Sequence, residues 1–177
     1  VPSLVDTALI FHQADLFDDR GLSAAVAAGV FVPFAIASAL SNLVSGFLVD
    51  RFGPRKVFVF AASVLVLPPI LLQVISTPVM GVAYAILIGS GSGMSMMVSR
   101  TVWAHYYGRH GLGSVQGAAM VVTIFSSALG PIALSALRDL FGGYTIPLFI
   151  MAGLMLAAAL TMALQRPHKP YGSDVAV

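Results

Sequence analysis

The chain has 177 residues, 58% of them hydrophobic and only 9% charged, with a formal net charge of +2. Soluble domains carry about a quarter charged residues, so nine Lys and Arg with seven Asp and Glu cannot clothe a water-soluble surface of this size, and the composition is that of a membrane protein. No basic patch interleaved with aromatics accompanies the positive excess, which excludes nucleic acid as the expected partner, and the lack of cysteine excludes disulfides, thiolate metal ligands and a cysteine nucleophile.

A helix crossing the bilayer needs about 20 mainly apolar residues. Charge clusters and turn residues cut the chain into six such stretches: 1–17, 23–49, 57–75, 79–99, 114–137 and 145–165. The first is short and reads as the second half of a helix whose start is missing, which places the beginning of the chain inside a larger protein. The third and fourth lie in one uncharged run, divided most naturally at Ser76-Thr77-Pro78, because proline cannot continue a helix and restricts its predecessor. Pro68-Pro69 is the alternative place for an interruption, as a kink. The expected architecture is therefore an all-α membrane protein of six transmembrane helices, the first truncated. Residues 1–165 form the bundle and 166–177 a tail.

Six crossings put Arg51, Arg55, Lys56, Arg100, Arg109, Arg166 and Lys169 on one side and Arg20 and Arg138 on the other. By the positive-inside rule the first side, tail included, is cytoplasmic, and a bacterial inner membrane is the expected location. Trp103, Tyr106 and Tyr107 fall at that surface as an interfacial aromatic belt. Asp50-Arg51-Phe52-Gly53 returns as Asp139-Leu140-Phe141-Gly142, each time between a second and a third helix. Two three-helix units related in this way face opposite sides of the membrane, an arrangement that underlies many transporters.

The stretch Gly46 to Lys56, Gly-Phe-Leu-Val-Asp-Arg-Phe-Gly-Pro-Arg-Lys, interrupts long uncharged runs with four charged residues. Gly53 and Pro54 suit a tight turn, and Asp50 is the carboxylate available to Arg55 and Lys56 at the start of the next helix, where positive charge opposes the helix dipole. On its own chemistry this is a solvated hairpin held by a surface ion pair. The stretch resembles the loop signature of the major facilitator superfamily, Gly-x-x-x-Asp-Arg-x-Gly-Arg-Arg/Lys, at Gly46, Asp50, Arg51, Gly53, Arg55 and Lys56, with Pro54 where a basic residue is usual. That resemblance implies a gate, in which these groups clasp the cytoplasmic helix ends of the two halves of a transporter. The stretches from Tyr106 to Gly117 and from Ser127 to Tyr144 resemble the tenth-to-twelfth helix region, and Phe11 to Ser23 the seventh helix and its outer end, of monocarboxylate-porter-like and oxalate–formate-antiporter-like members. The resemblance thus implies the C-terminal half of such a fold, with the N-terminal half as its missing partner.

Asp6 stands eleven residues before Phe17, roughly 16 Å from the end of the first helix at 1.5 Å per residue. A carboxylate near mid-membrane normally faces a cavity or a partner, so Asp6 is the candidate for proton coupling or solute contact. Gln13 shares its face, whereas His12 is turned about 120° away. Ser38, Ser41, Asn42 and Ser45 give the second helix a polar side, and Gln116, Thr123, Ser126 and Ser127 mark the fifth. Asn42 lies near the place of an Arg, and the fifth helix lacks a Lys, that relatives of the resembling groups carry. A carboxylate solute would then draw its cation from the missing half or enter protonated. Gly89, Gly91 and Gly93, and Gly113 with Gly117, have the spacing of close helix contacts. Gly130-Pro131 is expected to bend or unwind the fifth helix.

Gly89-Ser90-Gly91-Ser92-Gly93 holds glycine where a Gly-x-Ser-x-Gly elbow needs its nucleophile, and no His-Glu-x-x-His or phosphate loop occurs, so neither an enzyme nor a cofactor is expected. The sequence points to half of a secondary transporter for a small organic solute, organic acids included. A six-helix scaffold without transport and a self-assembling half-transporter are the alternatives.

Overall fold

The computed structural model describes residues 1–107 and 112–165. Its helices are α1 (Pro2–Phe11), α2 (Gln13–Asp18), α3 (Ala24–Gly29), α4 (Phe31–Phe52), α5 (Pro54–Val64), α6 (Leu67–Leu71), α7 (Pro78–Tyr107), α8 (Leu112–Phe141) and α9 (Thr145–Leu164), with no strand among the described residues. Five stretches are long and apolar enough to cross a membrane: Ala24–Phe52, Pro54–Leu71, Pro78–Ala104, Leu112–Phe141 and Thr145–Leu164. Pro2–Phe11 is a shorter apolar helix, and α2 continues it beyond a one-residue break at His12. Leu43, Phe47, Val122 and Ile132 are each more than 60% exposed. Large apolar side chains turned outward in such numbers are what a lipid-facing surface requires. This is a multi-pass integral membrane chain.

Turn chemistry sets the breaks. Gly53 ends α4 at φ 82°, a backbone that disfavours any side chain, and Pro54 opens α5 at the position where its missing N–H is harmless. Gly142 ends α8 at φ 69°, so both copies of the Asp-x-Phe-Gly repeat close a helix on phenylalanine and turn on glycine. The third and fourth spans separate where Ser76-Thr77-Pro78 placed the division, with Pro78 opening α7. Pro68-Pro69 also acts: α5 stops at Val64, and the third span resumes as α6. Neither proline can donate to the carbonyl four residues earlier, so the ladder fails there.

Glycine fixes a close helix crossing. A Cβ on Gly89 would lie 2.5 Å from Phe34 O, and one on Gly93 would lie 2.2 Å from Ser38 O, so α4 and α7 touch backbone to backbone. Gly91 faces the other way, against Leu65 of the break between α5 and α6. The expectation for Gly113 and Gly117 is corrected: among the described residues, nothing lies within 4 Å of the Cβ position of either. Gly130-Pro131 likewise does not unwind its helix, since α8 runs unbroken from Leu112 to Phe141. The core gathers Val5, Leu9 and Phe17 from the first segment, Tyr84 and Ile88 from α7, and Leu148 and Met151 from α9.

Candidate functional site

Asp6 projects from α1 onto α7, where Ser92 Oγ lies 2.9 Å from its Oδ2. Ser92 is near the middle of the Pro78–Ala104 span, so the carboxylate stands at mid-depth. Its Oδ1 is shut off from solvent without a hydrogen-bond partner, and no Lys, Arg or His side chain among the described residues forms an ion pair with Asp6. Ser92 Oγ is also 2.7 Å from Ile88 O. A hydroxyl has one proton to give. With Asp6 ionised, Ser92 donates to the carboxylate; with Asp6 protonated, the acid donates to Ser92 and Ser92 donates to Ile88 O. Both protonation states therefore find a hydrogen-bonded arrangement without backbone movement.

One residue further along α7, Gly93 O accepts a hydrogen bond from Asn42 Nδ2 of α4 at 3.1 Å. Asp6 and Asn42 thus meet α7 at successive residues from two different helices. Asn42 there ties the backbone of a close crossing, where Ser38 of the polar side of α4 meets Gly93; Ser45, fully buried, donates within α4 to Ser41 O.

His12 and Gln13 go elsewhere. Gln13 Nε2 donates to Ala27 O of α3 at 2.7 Å. His12 lies 3.1 Å through Nε2 from Pro131 O and 3.1 Å through Nδ1 from Tyr144 Oη. A carbonyl only accepts, so Nε2 carries the proton, and in the neutral ring Nδ1 accepts from the Tyr144 hydroxyl. Asp15 approaches the same hydroxyl at 3.5 Å, and Arg138 stacks 4.8 Å above the Tyr144 ring. Burial pushes the Tyr144 hydroxyl above its ordinary pKa, so it stays a neutral donor. Among the described residues Gln116 reaches Arg100 O, at 3.5 Å. The expected site residues are therefore not one pocket. They form a mid-depth pair on α7, a cluster at the C-terminal end of the first segment, and a separate contact near the start of α8.

The charged loop is built differently from expectation. Among the described residues Asp50 makes no ion pair with Arg55 or Lys56. Arg55 reaches the end of α9 instead, with Nε 2.9 Å from Met162 O, and with one terminal nitrogen 2.8 Å from Ala163 O and also bonded to Gln165 O. The last carbonyls of a helix lack intrahelical donors and carry the negative end of its dipole, so a guanidinium caps them better than it pairs with an exposed carboxylate. Arg51 lies over the Phe52 ring at 5.6 Å. Arg55→Gln is accordingly expected to fray the end of α9, a loss of about 0.3–1 kcal/mol for an exposed helix-end charge. Hydrogen exchange of the amides at 160–165 should quicken while that of α4 stays unchanged, and unchanged exchange at α9 would refute the cap. Arg109, Arg166, Lys169, the 108–111 loop and the tail lie outside the described residues, as does the side chain of Tyr107. Trp103 borders an open apolar hollow with Val115, Ala118 and Val122 of α8.

Residues 4–176 match the Major Facilitator Superfamily. The chain belongs to that superfamily. It is 30% identical over 146 residues to an uncharacterized MFS-type transporter of Mycobacterium tuberculosis (strain ATCC 25618 / H37Rv). That alignment covers 80% of this chain and 25% of the relative, so the chain spans about a quarter of the relative's length. Within the superfamily frame, Ser92, Tyr144 and Arg55's hold on α9 are the contacts that sequence reasoning missed. Ser92 shares its uncharged span with Ser90, Ser95 and Ser99, and nothing in the sequence says which of them turns toward α1.

Proposed function

We propose that the chain is the C-terminal half of a secondary transporter that moves a small organic solute, organic acids within that class, by alternating access. The observation that carries the reading is Asp6: a carboxylate at mid-depth, without an ion pair to any described Lys, Arg or His side chain, whose hydrogen-bond partner accommodates both the charged and the neutral form. Intramembrane ionisable groups of this kind mark ion and solute pathways. Asp6 is the proton-coupling group on this reading, and the loop from Gly46 to Lys56 is a cytoplasmic gate facing an N-terminal half. The C-terminal tail is cytoplasmic, in a bacterial inner membrane.

Reconstitution into vesicles tests it. The intact protein should accumulate at least one member of a panel of organic acids, amines and sugars under an imposed pH gradient. The 177-residue chain alone should not, because transporter sites of this kind lie between repeated units. Uptake by the chain alone would favour a self-assembling half. An intact protein that moves none of the panel under either gradient polarity would support the non-transporting scaffold.

A further inference from the structure

Pro131 lies inside α8 and has no backbone N–H, so Ser127 O, four residues earlier, has lost its intrahelical donor. In a bilayer such a carbonyl is costly to leave bare, and hydroxyls of neighbouring helices commonly satisfy it. α1 delivers several groups to this single turn. Thr7 Oγ1 lies 2.8 Å from Ser127 O, and His12 Nε2 lies 3.1 Å from Pro131 O. Between them Gly130 lets the α1 backbone approach so closely that a Cβ would fall 2.2 Å from Leu4 O.

We propose that Thr7 is a positioning residue whose hydroxyl replaces the backbone donor Pro131 lacks, so that α1 splints a hinge in α8. Thr7 Oγ1 is also 2.6 Å from Ser3 O and 3.2 Å from Leu4 O in its own helix. Those carbonyls already accept the backbone N–H groups of Thr7 and Ala8 in the helical ladder. Ser127 O has no such donor, so the one hydroxyl proton belongs there. The unbroken course of α8 through Pro131 follows from this. With α1 seated, the weak turn is bonded from outside; with α1 withdrawn, it is free to bend, as proline turns do. Asp6 immediately precedes Thr7, so the segment that holds the carboxylate against α7 also holds the hinge of α8. On the alternating-access reading, a movement of α1 begun at Asp6 reaches α8 through Thr7. The splint itself does not depend on that reading.

A double-mutant cycle in the intact protein tests the splint. Thr7→Val keeps the shape and removes the donor, and Pro131→Ala restores the backbone N–H to Ser127 O. Thr7→Val should lower the melting temperature by about 2 °C or more, Thr7→Ser should match the parent, and Thr7→Val should cost nothing in the Pro131→Ala background. Equal losses in both backgrounds, or no loss in the parent, would overturn the splint. Bending is read separately, from nitroxide labels on cysteines introduced at Met120 and Leu140, exposed positions on either side of the hinge. Twenty residues of straight helix separate them by about 30 Å. Thr7→Val should add a shorter population that Pro131→Ala removes, and a distribution unmoved by Thr7→Val would overturn the hinge. Both readouts are independent of solute, so they stand or fall apart from the transport assay.

Discussion

Gly93→Ala is expected to cost the protein much of its folded population, although alanine is the better helix former by about 0.8–1.0 kcal/mol. The added Cβ would fall 2.2 Å from Ser38 O and 3.0 Å from Ser38 C. These are backbone atoms of a neighbouring helix, so no rotamer change relieves the overlap, and α4 must move away from α7. Asn42 and Gly93 O would then part, which loses a hydrogen bond where no water replaces it. Overpacking of a well-packed contact costs about 1–3 kcal/mol or more, which exceeds the propensity gain. Gly153→Ala is the matched control, because nothing lies within 4 Å of its Cβ position and the propensity gain should appear unopposed. Melting in detergent followed by size-exclusion chromatography separates the two. A Gly93→Ala protein as stable and monodisperse as Gly153→Ala would show that the α4–α7 contact is looser than its geometry.

The sequence made the helix ends legible and left the helix faces obscure, for a physical reason. Ends are written locally. Gly53-Pro54 and Ser76-Thr77-Pro78 act through their own backbone chemistry and appear where they were placed, whereas α8 runs past the expected end at 137 and stops at Phe141, before Gly142. Faces depend on rotation about the helix axis, which in soluble proteins is encoded by an apolar stripe. In a bilayer the lipid side is as apolar as the core, so the pattern is silent. This is why Gly89 and Gly93 pack against α4 while Gly113 and Gly117, equally small and regularly spaced, meet none of the described residues. It is also why Arg55 was matched to Asp50, five residues away, and not to the end of α9, 107 residues away. Asp6 was visible because a charge in an apolar helix needs an explanation wherever it points. Its partner Ser92 was not, since which α7 face meets α1 is settled only by packing.

Asp6→Asn is expected to reduce uptake driven by a pH gradient to the level seen without a gradient, while solute counterflow in the intact protein continues. Asparagine has nearly the same shape, and its amide can donate to Ser92 Oγ as the protonated acid does, leaving Ser92 to donate to Ile88 O. The variant therefore reproduces the hydrogen bonding of the neutral state and should fold. What it lacks is a proton to release. Counterflow exchanges solute across the membrane and needs no net proton movement, so it reports whether the pathway and its access cycle survive. Ser92→Ala is the companion measurement, since it removes the only hydrogen-bond donor to the carboxylate among the described residues. It should change the pH dependence of uptake without abolishing it, because the titratable group remains. Loss of both driven uptake and counterflow in Asp6→Asn would mean the carboxylate serves the pathway rather than the coupling. Unchanged driven uptake would remove Asp6 from the mechanism and leave His12, with its contacts to Pro131 and Tyr144, as the ionisable group to test next.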